Sequence, residues 1–445
     1  MTGQTSGAPV RTSRPPAAVR LMAGWRETSR AARLPEHLDR YGPPPLRRRG
    51  GRRTARWLAD AVTEAGLTGR GGAGFPTGTK MHAVAAHGGT AVVVANGMES
   101  EPASSKDEAL LSLAPHLVLD GAVLAAEAVG AQVAHVCLSR LRPRQIDKVL
   151  AAVADREHAR LDRVPIQVHA LPDHYVSGEE TALIRWLNGG EAKPVQAPPR
   201  PHERGVRRQP TLVDNVETLA HIALIARYGP AWFRQAGRPD AAGTMLVTIS
   251  GAVAYPGVRE IELGTPVGEV LARSGVSQAA DAVLVGGYFG SWHDARDIAE
   301  APMTGDELRR LGAGPGAGVL VALPAAACGL TETARVLAYL AAQSSRQCGP
   351  CTFGLASVAE DFAQLAAGRA GDALFERLER RLGIVSGRGA CRHPDGAIRL
   401  AASALFTFAA DVSAHTRHQP CAAARAHRDH GVLPVPGPRP DEGWR

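Results

Sequence analysis

Ser345, Cys348 and Cys351 stand at three-residue intervals in Ser344-Ser345-Arg346-Gln347-Cys348-Gly349-Pro350-Cys351, and Cys391 follows 40 positions later. Thiolates separated by two residues on a Gly-Pro turn can grip two irons of one cluster, and a distant cysteine closes the cage. The spacing is that of an iron–sulfur site with serine where the first of four thiolates would stand. A serine oxygen is a harder ligand than sulfur, so it would hold iron less tightly and lower the reduction potential. Cys328, Cys421 and His393 are the other residues able to supply a fourth ligand if the fold brings one near.

A rival metal reading lies in His415-x-x-His418-x-x-Cys421 with His427 and His430. Nitrogen and sulfur donors at such spacing can bind zinc. The lack of finger spacing and the tail-like context predict solvated histidines instead.

A second chemistry-bearing stretch is Gly69-Arg70-Gly71-Gly72-Ala73-Gly74-Phe75-Pro76-Thr77-Gly78-Thr79-Lys80. It contains G-x-G-x-x-G at Gly69, Gly71 and Gly74, but a helix-period stretch from Thr54 to Ala65 precedes it where the dinucleotide fingerprint requires a strand. The glycines let backbone amides approach a phosphate, and a helix beginning near Pro76 would turn its positive end towards an anion. Ala91-Val92-Val93-Val94-Ala95 reads as a buried strand that delivers Asn96-Gly97-Met98-Glu99-Ser100-Glu101-Pro102 to a carboxyl edge, where open sheets bind ligands.

Further elements must position these groups. Strands near Val133–Cys137 and Ile166–Ala170 alternate with helices at 115–130 and 143–155. Ser177 is a candidate cap for a helix carrying Glu179 and Glu180 in its first turn, where carboxylates complement the helix dipole. Asp214-Asn215 reads as a loop that can hydrogen-bond a ligand. A β-rich unit follows from Gly243 to about Pro324, and four Ala/Leu-rich helical stretches at 331–343, 354–367, 371–383 and 396–412 carry the cysteines on their loops.

A chain of 445 residues is expected to form two to four domains. Its six cysteines are too few for a disulfide scaffold and suit a reducing compartment. No apolar run reaches the roughly 18 residues that span a bilayer, and no cleavable signal is evident, so a cytoplasmic protein without membrane insertion is expected. The net charge of +8 is concentrated at the start, where residues 1–58 hold thirteen Arg against three acidic residues. Such a head reads as a mobile arm in preference to a nucleic-acid-binding element.

Taken in order, these motifs resemble the flavoprotein (F) subunits of bacterial respiratory complex I and their relatives in NAD-linked hydrogenases and formate dehydrogenases. The resemblance runs over about residues 54–415. It rests on the glycine loop, on Asn96 to Asp107, on Gly178-Glu179-Glu180-Thr181-Ala182-Leu183 and on Pro210 to Thr218. It implies an α/β chain with a basic arm at 1–53, a Rossmann-like FMN- and NADH-binding domain at 54–235 and a β-grasp domain of the soluble-ligand-binding type at 240–325. A helical domain holding one [4Fe-4S] cluster would occupy 326–418, and a loose tail 419–445.

The resemblance further implies hydride transfer from NADH to FMN and single electrons passed to the cluster, then to an iron–sulfur partner or ferredoxin in a hetero-oligomer. Gly69, Arg70, Gly71, Gly72 and Lys80 would hold the flavin phosphate and ribityl chain. Asn96, Glu99 and Asn215 would hydrogen-bond the flavin, Gly178 would admit its ring, Glu180 would sit beside the nicotinamide, and Glu179 and Asp214 are further cofactor-binding candidates. Phe75 would stack on the nucleotide and Glu101 would bind its ribose. Glu180 and Glu99 are the catalytic candidates, and Cys348, Cys351, Cys391 and Ser345 the iron ligands.

Met98, Ala83 and Arg200 stand where the family pattern has an aspartate and two aromatic residues. Two alternatives follow: a flavoprotein fed by ferredoxin or a partner without direct use of NADH, and an assembly component without redox activity.

Overall fold

The uninterrupted β-branched run at Val92–Val94 forms the buried centre of a parallel sheet, as expected of a strand covered on both faces. The computed structural model describes residues 20–24, 30–45, 51–87, 90–196, 198–277, 280–425, 431–437 and 442–445. The elements that bear on the site begin with helices α1 (Leu34–Tyr41), α2 (Gly51–Ala65) and α3 (Thr77–Ala86) and strand β1 (Ala91–Gly97). They continue with α4 (Lys106–Leu113), α5 (Pro115–Val129), β2 (Ala131–Ser139), α6 (Pro143–His158) and β3 (Ile166–Leu171). Helix α7 (Glu180–Leu187), strand β4 (Thr211–Asn215) and helix α8 (Val216–Tyr228) complete this part.

The four strands run parallel in the order β3-β2-β1-β4. Helices α5 and α8 are apolar almost all round and are buried among the other helices and the sheet. As the sequence indicates, helix α2 and not a strand leads into the glycine loop, which closes on itself through a bridge between Thr68 and Pro76.

A second, mixed sheet of five strands follows: β5 (Thr244–Gly251), β6 (Gly257–Glu262), β7 (Ala280–Val285), β8 (Ser291–Asp294) and β9 (Val319–Pro324), in the order β8-β7-β9-β5-β6. Helices α9 (Gly329–Ala342), α10 (Leu355–Ala366), α11 (Asp372–Val385), α12 (His393–Thr407) and α13 (Ala409–Thr416) then pack around Leu337, Val358, Phe362, Leu378 and Leu400. The stretch expected as one helix over 396–412 is two helices broken at Phe408, whose ring lies over Gly329 and edge-on to Trp292.

Two expectations need correction. The basic head is not a loose arm over residues 20–24 and 30–45. Arg20 is buried, its guanidinium donates to the Trp232 and Phe233 carbonyls at 2.8 and 2.7 Å, and Glu260 accepts the backbone amides of Arg20, Leu21 and Met22. The arginine serves as a fastener because its charge meets backbone dipoles and an aromatic face. Arg47, Arg48 and Arg49 lie outside the described residues.

The end of the chain is not loose over its described parts either. Trp444 stacks on His174 at 3.8 Å, Glu442 accepts from Arg140 Nε and from the Asp173 amide at 2.8 Å each, and buried Leu433 donates its amide to Glu332 Oε2 at 2.9 Å. No single helix among the described residues is long and apolar enough to cross a membrane.

Candidate functional site

The strand order sets the carboxyl ends of β1 and β4 side by side, with Asn96 opposite Asn215. Asn215 caps α8 by accepting the Glu217 amide at 3.0 Å, and its Nδ2 donates to Asp107 Oδ2 at 2.6 Å. Asn96 Nδ2 donates to the Gly178 carbonyl at 2.8 Å, tying β1 to the segment that starts α7. Behind this edge Lys106 Nζ donates to Asp107 Oδ1 at 2.7 Å, Glu217 Oε2 at 2.8 Å and Asn215 Oδ1 at 3.3 Å. Burial works against the Lys106 ammonium, but Asp107 and Glu217 outweigh it and hold its pKa above the ordinary lysine value. Burial also pushes the Asp107 carboxyl up to about 6, with Lys106 opposing the rise.

Lys106 and Glu217 were not singled out from sequence. The available signal was Glu217 itself, since a carboxylate at the start of a buried, largely apolar helix requires a cation or donor.

In front of this network Lys80, Asp214 and Glu180 converge from α3, β4 and α7. Lys80 Nζ donates to the Val213 carbonyl at 2.8 Å and to Asp214 Oδ1 at 3.2 Å. Burial opposes the Lys80 charge, yet Asp214 and then Glu180 raise its pKa. Burial raises the Asp214 pKa despite Lys80, and its Oδ2 is buried without a hydrogen-bond partner among the described residues.

The glycine loop lies beside them. Gly69 donates its amide to the Phe75 carbonyl at 2.9 Å, Gly71 sits against the Asn215 side chain, and Gly72 adopts a φ of 105° that favours glycine. Phe75 is left 50% exposed, as a ring available for stacking.

Several predicted site residues turn inward. The Arg70 guanidinium is buried and donates to Thr68 and to the Thr244 carbonyl, and burial lowers its pKa. Glu99 accepts from Ser104 Oγ, the Asp107 and Glu108 amides and Arg142 Nη1, so its carboxylate holds the start of α4. Glu101 accepts from Tyr175 Oη at 2.7 Å, the Tyr288 amide at 2.9 Å and the Ala103 amide at 3.2 Å. It thereby joins the parallel sheet to the five-stranded one, and burial pushes its pKa up to about 7. A Cβ on Gly178 would lie 2.8 Å from the Met98 carbonyl, so the close approach there is between two segments of this chain. The α7 cap is Glu179 rather than Ser177, accepting the Thr181 and Ala182 amides, while Ser177 Oγ donates to the Ala192 carbonyl.

The cysteines converge as their spacing indicates. Pro350–Gly354 form a π turn that runs into α10 and carries Cys351, with Cys348 close by. Cys391, on the loop before α12, lies within charge range of Cys348, Cys351 and Glu179. Burial, followed by Cys348 and Cys391, pushes the Cys351 thiol up to about 12, as befits sulfurs that face one another without a cation. Ser345 is buried and its Oγ accepts from Gln347 Nε2 at 3.3 Å, and neighbouring Ser344 is buried as well. His393 Nε2 donates to the Leu340 carbonyl at 2.8 Å, which leaves Nδ1 without a partner among the described residues. Cys328 and Cys421 are drawn instead to each other and to His415, so the fold does not deliver them as spare ligands for the Cys348, Cys351 and Cys391 set.

The residues fit both groups. An unpartnered acceptor and a cation at a sheet edge, flanked by a glycine loop and a half-exposed aromatic, suit the hydroxyls and phosphate of a flavin mononucleotide. Three converging thiols suit an iron–sulfur cluster. A parallel-sheet site of this kind joined to a cysteine-bearing helical region defines a flavin and iron–sulfur protein.

The Nuo51 FMN-binding domain matches residues 62–224, and the NADH-ubiquinone oxidoreductase-F iron-sulfur binding region matches residues 331–415. The F 2 subunit of NADH-quinone oxidoreductase from Rhizobium meliloti (strain 1021) is 30% identical over 390 residues, 84% of this chain and 92% of that protein. The mitochondrial NADH dehydrogenase (ubiquinone) flavoprotein 1 of Dictyostelium discoideum is 30% identical over 368 residues, 77% of this chain and 75% of its own length. A chain of an NAD+-reducing NiFe-hydrogenase in the H2-reduced state superposes with a TM-score of 0.75 at 31% identity, covering 81% of this chain and 62% of that one. This chain therefore spans less than two thirds of the hydrogenase chain. It belongs to the F-subunit family of NADH-quinone oxidoreductases and carries an FMN-binding domain and a 4Fe-4S binding region.

Proposed function

We propose that the protein oxidises NADH and delivers the electrons singly, through its cluster, to an iron–sulfur partner or ferredoxin in a cytoplasmic hetero-oligomer. The observation that carries this reading is the position of α7, which is tied to both centres. Asn96 Nδ2 at the sheet edge donates to the Gly178 carbonyl just before α7, and Arg185 of α7 donates to Gln347 Oε1, whose Nε2 donates to Ser345 Oγ. When bound, the flavin accepts two electrons as a hydride and releases them one at a time.

The chain supplies placement and charge. Gly71 and Gly72 present backbone amides to the phosphate while the Gly69 amide closes the loop on the Phe75 carbonyl, and Lys80 adds a cation that Asp214 and Glu180 keep protonated. Asn96, Asp214 and Asn215 orient the flavin, Phe75 stacks on the nucleotide, and Glu180 stands beside the nicotinamide. Arg70, Glu99 and Glu101 act from behind, holding the loop, α4 and the adjoining sheet. Cys348, Cys351 and Cys391 bind the cluster, with Ser345 as fourth ligand. The five-stranded unit near 240–325 is a β-grasp domain of the soluble-ligand-binding type, and the helices of 326–418 are the cluster domain.

The test is anaerobic reconstitution of the full chain with FMN, iron and sulfide, followed by titration with NADH. Bleaching of the flavin bands is expected. Failure of both NADH and NADPH to bleach them, with bleaching by reduced ferredoxin, would transfer the donor role to a partner.

A further inference from the structure

Cys328, His415 and Cys421 lie far apart in sequence, yet the fold brings their ligand atoms within 4.8 Å of one another. The geometry points to a second metal centre here, separate from the cluster cysteines and suited to a single zinc ion. Two thiolates and an imidazole are donors that zinc favours, and three protein ligands leave a fourth tetrahedral position for water or another small donor.

The surroundings are arranged as they are around bound metals. His415 is fully buried, and its Nδ1 donates to the Leu365 carbonyl at 3.2 Å. That bond fixes the tautomer with a lone pair on Nε2, which accepts the Cys421 amide at 3.0 Å; zinc would take that lone pair in place of the amide. Orientation of a ligating imidazole by a backbone carbonyl on its other nitrogen is a common outer-shell device. The Ala424 amide donates to the Cys421 sulfur at 3.4 Å, a contact that a metal-bound sulfur can keep. His418, the next histidine of the sequence motif, turns away to the Gly368 carbonyl at 3.0 Å and takes no part. His427 and His430 lie outside the described residues.

Without a metal the two sulfurs are thiols. Zinc entering the site displaces the two thiol protons to solvent and leaves the imidazole neutral, with no electron transferred. The ion would tie together three points of the chain: the turn between β9 and α9, the end of α13, and the start of the closing segment whose Leu433 is buried against Glu332. Its role is to staple the end of the chain to the base of the helical region, away from the proposed electron path.

The test uses the full chain purified anaerobically from zinc-supplemented medium without chelator, with zinc and iron counted by mass spectrometry and zinc-edge X-ray absorption recorded. One zinc per chain is expected, with two sulfur neighbours at about 2.3 Å and one nitrogen at about 2.0 Å. Cys421→Ser and His415→Gln should lose the zinc and keep the iron, which also reports that the helical region has folded. Cys348→Ser should lose iron and keep zinc. Hydrogen exchange at residues 416–425 should rise when zinc is removed from the wild-type chain. The proposal is overturned if the wild type carries no zinc, if Cys421→Ser and His415→Gln retain it, if Cys421→Ser loses iron instead, or if peptide mapping finds Cys328 and Cys421 joined as a disulfide.

Discussion

At the carboxyl edge of the parallel sheet, Lys106 faces Asp107 and Glu217, and Lys80 faces Asp214. In the helical region Cys348, Cys351 and Cys391 face one another, and the carboxylates of Glu179 and Asp395 lie in charge range of Cys391. The first arrangement pairs its charges within the protein, so its geometry is set before a flavin arrives. The second gathers groups that repel once ionised and gains its balancing charge only from iron. Preorganisation by paired charge and completion by a metal are thus joined through one short helix, α7.

The comparison breaks most directly at the sulfurs. Cys351→Ser should reduce iron from about four per chain towards none while FMN binding persists. Iron and flavin counts on the same sample check this, and parallel loss of both would show that the two centres are not independent. Conversely, Ser345→Cys should slow iron loss during dilution.

Next in size is Lys106→Met, which leaves Asp107 and Glu217 buried without their cation and should cost about 3–5 kcal/mol in chemical denaturation. A change well below that would mean that the edge is not held by charge pairing.

Glu101 sharpens the contrast through pH. Its folded pKa of about 7 exceeds the unfolded value, so the folded state binds the extra proton and stability falls as pH rises from about 4.5 to 7. His116, His135 and His393 are pushed down to about 4, burial being the largest cause, and they act in the opposite sense, so the difference between wild type and Glu101→Gln isolates the carboxyl. The variant should remove a slope of up to about 1.4 kcal/mol per pH unit in that window. The smallest effect is expected from Trp444→Ala, which removes the stack on His174 and should cost about 1 kcal/mol.

The two regions also differ in how they read from sequence. The cysteine pair and the glycine loop were legible because their ligating groups are neighbours in the chain, and β1 was legible from an unbroken β-branched run. Partnerships made only by topology were hidden. Glu99 and Glu101 read as ligand groups because they end a strand, but a helix start and two tyrosine contacts consume their acceptors. Arg20 read as part of a charged arm because nothing local reveals that Trp232 and Glu260 await it. The triad of Cys328, His415 and Cys421 spans three elements, and composition placed its histidine in solvent although the fold buries it.

The most direct measurement is an anaerobic ultraviolet–visible spectrum of the full chain before and after NADH, with iron counted on the same sample. Flavin bands that bleach on addition of NADH, with about four irons per chain, are the predicted result. A colourless protein that binds neither FMN nor iron after reconstitution would contradict an electron-transfer role and leave assembly as its function.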